Sequence, residues 1–99
     1  MFRHVVMFTF AEGTTDAQID AVLQGLAGLP VAIPEIRKYS YGRDAGLAPG
    51  NFSLAVVAEF ANEADYLVYR DHPAHQEFIA TLVRPIVGTR AAAQFASAD

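Results

Sequence analysis

The sequence predicts an α+β domain of the ferredoxin-like β-α-β-β-α-β plait, a four-stranded antiparallel sheet with its helices on one face. Three observations predict it. Ninety-nine residues leave room for one domain only, here residues 1–99. Segments with strand and helix patterning follow one another in that order. Finally, at 53% hydrophobic and 18% charged the composition is that of a packed globular chain.

The first strand is FRHVVMFTF, Phe2 to Phe10, rich in Val and Phe and free of Gly and Pro. In AEGTTDAQ the chain turns and a helix starts. Thr15 is suited to cap it, and Gln18 three residues on completes a capping box. Ile19, Val22, Leu23 and Leu26 then form one apolar stripe at i, i+3, i+4 and i+7, with Asp16, Asp20 and Gln24 in solvent. The GLP at 28–30 is expected to end this helix, and Ile36 to Tyr41 to form the second strand. GRDAGLAPGN is a loop with three glycines and a proline in ten residues, matching no phosphate-binding fingerprint. FSLAVVAEF is the third strand, and Asn62 is placed to cap a helix over EADYLVYR. Pro73 suits the first turn of a further helix, PAHQEFIATLVR, which Pro85 and Gly88 stop before a last strand, TRAAAQF.

Both sheet faces are apolar. The even positions of the first and third strands hold Phe2, His4, Val6, Phe8, Phe10 and Phe52, Leu54, Val56, Ala58, Phe60. The odd positions include Val5, Met7, Ala55 and Val57. Helices cover one face only, and the larger even side chains belong under them. The odd face needs cover too, most simply from a second copy of the chain. A two-fold homodimer through the sheet face, burying on the order of 800 Å² per partner, supplies it.

Charge excludes one class of partner. The net charge is −4 with an isoelectric point near 5.2, and of seven basic residues only Arg37 and Lys38 are adjacent. Nucleic acid is not an expected partner, because phosphate contacts need clustered cations. Nor is a membrane: MFRHVVMFTF is apolar but far too short to span a bilayer, and it runs into AEGTTD without a signal-cleavage pattern. The chain has no cysteine, and a cytoplasmic location is expected by default.

The candidate site gathers around YRDHPAHQEF, Tyr69 to Phe78. His75, Phe78, Ile79 and Leu82 are spaced i, i+3, i+4 and i+7, so His75 shares the core-facing stripe and points toward the sheet. Tyr69 lies one turn earlier, and His4 on the even face of the first strand looks into the same space. A histidine exchanges protons near neutral pH, and a tyrosine hydroxyl donates to a developing oxyanion. Together they make a small acid/base pocket, with Phe8 and Val56 of the sheet and Phe78 and Leu82 of the helix lining it. A packing role fits each polar residue as well: His75 bonded to a backbone carbonyl, Tyr69 as an aromatic with a solvated hydroxyl, His72 fixing the kink before Pro73. Tyr39 and Tyr41 read as packing residues. HxxH across a proline is not a zinc signature, so neither metal nor cofactor is expected.

RHVVMFTF, LPVAIPEI, YGRDAGL and above all YRDHPAHQEF resemble the stress-responsive dimeric α/β-barrel (Dabb) domain family over essentially the whole chain. The resemblance implies a ferredoxin-like plait that pairs through its sheet into a barrel dimer. One branch of that family is the plant olivetolic acid cyclase, which closes a linear polyketide by aldol condensation. Its catalytic tyrosine and histidine fall on Tyr69 and His75, and a pocket histidine falls on His4. A further histidine of that enzyme's third strand is replaced here by Leu54, and its pocket residues on the first helix are not matched, which sets the substrate apart. The expected function is a cofactor-free acid/base enzyme, a polyketide cyclase or aldol-type lyase, acting on a small apolar carbonyl compound. In it His75 is the base, Tyr69 the donor to the enolate, and His4 the residue that orients the substrate. Two other classes fit the same pocket: a stress-associated module that only holds a small apolar ligand, and a cofactor-independent monooxygenase of the related plait.

Overall fold

The structure is a computed structural model and describes residues 1–98. Its elements are β1 (Phe2–Phe10), α1 (Asp16–Ala32), β2 (Lys38–Arg43), β3 (Leu54–Phe60), α2 (Glu63–Asp71), α3 (Pro73–Phe78) and β4 (Val87–Ala96). The helix of α3 runs on as a π-helical turn over Ile79–Val83. The strands form one antiparallel sheet in the order β2-β3-β1-β4, the ferredoxin-like arrangement, with the three helices on one face. Among the described residues no helix is long and apolar enough to cross a membrane.

The caps at both helix starts are local and form as the sequence predicts. The Thr15 side chain accepts from the Gln18 backbone N–H at 3.2 Å, and Gln18 Oε1 returns the bond to the Thr15 N–H at 2.8 Å. Asn62 Oδ1 accepts from the Asp65 N–H at 2.9 Å and opens α2. These pairings satisfy N–H groups that have no partner within a helix.

Four boundaries differ from expectation. GLP does not end α1. Pro30 lies inside the last turn, where it forgoes a single backbone bond, and the helix continues to Ala32. The second strand begins at Lys38 rather than Ile36, because the Ile36 N–H turns back to the Ile33 carbonyl, and it extends to Arg43. β3 starts at Leu54, not Phe52. The last strand is longer than expected, since β1 gives β4 a partner along nearly its whole length.

The core lies between the even sheet face and the helices. Leu54, Val56, Ala58 and Phe60 of β3 are buried, as are Phe8 of β1 and Val22, Leu26 and Leu29 of α1. Gly25 sets how closely α1 and α3 approach, since a Cβ there would lie 2.6 Å from two carbons of the Phe78 ring. On the opposite face Val5, Met7, Ala55 and Val57 are only half-buried, beside the Arg3–Glu59 ion pair at 3.2 Å. This chain alone covers one side of its sheet.

Candidate active site

The floor of the site is a single row of side chains across all four strands. Tyr39 pairs with Ala58, Ala58 with His4, and His4 with Gln94. Side chains at matched positions point to one face, here the helix side. Ala58 is the small member of the row, and it leaves room between Tyr39 and His4. Tyr69 of α2 comes down there: its ring centroid is 6.1 Å from that of Tyr39 and 6.0 Å from that of His4. The Tyr39 and Tyr69 hydroxyls are hydrogen-bonded at 2.8 Å.

A bend at His72 brings the second half of the site into place. The residue before a proline avoids helical angles, and His72 is extended at φ −62° and ψ 136°. Its Nδ1 accepts from the Ala74 N–H at 3.1 Å, so this histidine caps α3. The chain then turns back, and the His75 ring lies against Tyr69 with centroids 4.2 Å apart. His75 Nδ1 is 3.1 Å from the Arg70 carbonyl oxygen, which Gln76 Nε2 also donates to at 2.6 Å. A carbonyl only accepts, so Nδ1 carries the proton and Nε2 keeps its lone pair.

Burial tunes each titratable group. It holds the His75 imidazole below the ordinary histidine range, with the Arg70 carbonyl pulling up and the Arg90 and His72 charges pulling further down. Burial, then the Arg90 charge and then His75, brings His4 down to about 4. His4 Nδ1 accepts from the Gln94 amide at 2.8 Å, which leaves the proton on its Nε2. Tyr69 is pushed up by burial to about 12, although the bond from Tyr39 pulls it back. Tyr39 is raised much further, by burial first and then by Tyr69. At neutral pH the site therefore holds two neutral imidazoles and two neutral phenols. Tyr39 is the donor in their shared bond whenever Tyr69 gives up its own proton.

These groups open onto a cavity of about 410 Å³ between the sheet and the helices. Of the residues singled out from sequence, His4, Phe8, Val56, Tyr69, His75 and Phe78 all line it. Leu82 does not, and here the structure corrects the helical spacing. The Arg84 N–H reaches back five residues to the Ile79 carbonyl at 2.8 Å, so the π turn carries one residue more than an α turn. Val83 takes the wall position that i+7 spacing assigns to Leu82, while Leu82 packs toward Gly25. Sequence reading missed Tyr39, Gln94, Arg84 and Arg90. Alternation along β2 does set Tyr39 on the face shared with Tyr41, but only strand register shows that it stands in the His4 row. Among the described residues no three His, Cys, Asp or Glu side chains form a group able to hold a metal ion.

Comparison with known proteins agrees with this architecture. A dimeric ferredoxin-like protein of unknown function from Thermobifida fusca is 40% identical, with a TM-score of 0.90 over 97% of this chain and 90% of that one. The stress-response A/B barrel domain-containing protein HS1 of Arabidopsis thaliana is 27% identical over 78 residues, 77% of this chain and 72% of its own length. A hydroxynitrile lyase from Passiflora edulis shares the fold at 23% identity, with a TM-score of 0.83 over 95% of this chain and 90% of that one. The sequence profile of the stress responsive A/B barrel domain matches residues 2–97, and the chain belongs to that family, the Dabb proteins.

Proposed function

We propose that the cavity is a cofactor-free acid/base active site for carbon–carbon bond chemistry at a small, mostly apolar carbonyl compound, of the aldol-type lyase or polyketide cyclase kind. One observation carries this reading. A histidine with a fixed tautomer and a free Nε2 lies against a buried tyrosine that a second tyrosine hydrogen-bonds, at the wall of an apolar cavity. His75 Nε2 takes a proton from the carbon next to the carbonyl. The Tyr69 hydroxyl donates to the enolate oxygen that forms, and Tyr39 donates to Tyr69 as negative charge reaches it. The enolate carbon attacks a second carbonyl, and the His75 imidazolium returns its proton to the new alkoxide. The reverse sequence cleaves the bond. His4, with its Nε2–H, orients the substrate, and Phe8, Val56 and Phe78 hold the apolar body. That a hydroxynitrile lyase shares the fold is consistent with lyase chemistry here.

The active unit on this reading is a homodimer in the cytoplasm. It joins through the odd sheet face, where Val5, Met7 and Val57 need cover and where the dimeric Thermobifida fusca relative offers the precedent. Proton exchange tests the chemistry before any physiological substrate is known. In D2O the protein should speed deuterium uptake next to the carbonyl of 4-phenylbutan-2-one. His75→Ala should cost about 10²–10⁴ of that rate and Tyr69→Phe about 10²–10³, with binding of the ketone retained. Binding with no exchange above solvent, and a Tyr69→Phe variant altered only in affinity, would instead identify a module that merely holds a small apolar ligand.

A further inference from the structure

The chain carries eleven acidic residues against seven Lys and Arg, yet no Asp or Glu lines the cavity, whereas Arg70, Arg84 and Arg90 do. Arg70 is already engaged with Asp71, Nε to Oδ1 at 2.9 Å. Arg84 and Arg90 are not. Among the described residues neither has an ion pair or side-chain hydrogen bond, while Arg3 and Arg43 are paired with Glu59 and Asp16. Both are exposed, so their guanidinium groups stay in water at the rim while the wall behind them is mostly apolar. They also reach the cavity from separate elements. Arg84 follows the π turn, and Arg90 sits on β4 opposite Phe8, on the helix side of the sheet. The charge of Arg90 is felt by both His4 and His75. A cationic rim on an acidic protein focuses anions toward one opening.

We propose that the ligand of this cavity is an oxo acid, an apolar body bearing a carboxylate that Arg84 and Arg90 hold at the rim while its ketone lies between Tyr69 and His75. The assignment rests on the reading of this cavity as the substrate site and names the class of substrate it takes. A guanidinium presents a planar fork of donors that matches a carboxylate or a phosphate. Carboxylate is the better fit, because only two unengaged arginines border the opening and no lysine lines it. An apolar cavity alone recognises shape, and the paired arginines add polarity and direction, fixing which end of the ligand enters first.

Matched probes decide the point by NMR titration of the full chain. 4-Phenylbutyrate should bind about tenfold or more tightly than 4-phenylbutan-1-ol, as expected for a charge-assisted contact worth roughly 1.5–3 kcal/mol. The gap should narrow at high salt and close in the Arg84→Gln/Arg90→Gln double variant, whose spectrum shows whether it is folded. Single Arg84→Gln and Arg90→Gln variants should each lose part of it. An acid that binds no tighter than the alcohol, or an advantage that survives in the folded double variant, overturns the assignment. So does tenfold tighter binding of 3-phenylpropyl phosphate, which gives the rim to a phosphorylated ligand. Exchange at 4-phenylbutan-2-one is read separately. If exchange occurs and the acid has no advantage, the oxo acid fails and the acid/base site stands. If the acid binds through the arginines and no oxo or neutral ketone exchanges, the ligand class stands and the catalytic reading fails.

Discussion

Tyr39 and Tyr69 are thirty residues apart in sequence and joined by one hydrogen bond of 2.8 Å between their hydroxyls. Only one of them donates in it at a time, and the far higher resistance of Tyr39 to ionisation makes Tyr39 the donor when Tyr69 is the acid. Tyr39 is thus a positioning residue. In Tyr39→Phe the Tyr69 phenol loses the bond that holds down its pKa, so kcat for a carbonyl substrate should drop about tenfold with KM little changed. Stability should fall by roughly 1 kcal/mol, the usual worth of one such bond. A loss confined to KM would show that the tyrosine pair shapes the cavity and takes no part in proton donation.

The row beneath Tyr69 depends on the smallness of Ala58. Ala58→Leu puts three extra carbons into a fully buried position between Tyr39 and His4. Overpacking of this kind costs about 1–3 kcal/mol. It should also lift the Tyr69 ring away from its partners and remove activity more completely than the loss of stability explains. Thermal unfolding and exchange measured on one preparation separate the two effects.

His4 links the fold to pH. Its folded pKa of about 4 lies below the ordinary 6.5, so the folded protein binds fewer protons than the unfolded chain between those values. The stability that comes from keeping His4 neutral is complete above pH 6.5 and is lost as pH falls toward 4, by about 3 kcal/mol at most. Denaturation midpoints followed over that window should decline, and the decline should shrink in His4→Gln. His75 adds an activity limb with the same sign. Its pKa is lowered, so the rate should hold down through neutral pH and fall only below the ordinary histidine range as the base is protonated.

Assembly has its own test. Val57 is half-buried in the single chain, at the centre of the odd face, where Ser40 and Val5 flank it on the neighbouring strands. Val57→Glu would place a charge in the seam of the dimer. Leaving one uncompensated there costs about 3–5 kcal/mol, enough to split the pair at micromolar concentration. Sedimentation should show the wild type as a dimer. A wild-type monomer would end the reading of this face as an interface.

The parts of the fold that could be read from sequence are those fixed by neighbours along the chain. The Thr15–Gln18 capping box, the Asn62 cap, the bend before Pro73 and the even-face alternation of β1 and β3 all depend on residues a few positions apart. The Tyr69 and His75 pair was legible for the same reason, lying within two turns on either side of one proline. The remainder of the site depends on pairing between distant segments. Tyr39 meets His4 only through the register of β2 on β3 and of β3 on β1, and Gln94 only through that of β4, the strand with the weakest pattern. Leu82 was misplaced because helical spacing assumes an unbroken 3.6-residue period, and the turn over Ile79–Val83 breaks it. Pro30 was read as a stop because proline usually is one; two residues from a helix end it is tolerated.

The same π turn makes one wall of the cavity re-indexable by length. A substitution at Val83 changes one side chain, but removal of a single residue from the Ile79–Val83 segment would let the helix close with ordinary spacing. Every residue from there to Arg84 would then rotate relative to the sheet while Tyr69 and His75, which lie before the turn, kept their places. Insertions and deletions are thus a route by which relatives of this chain can change what they recognise while keeping the groups that would handle the proton.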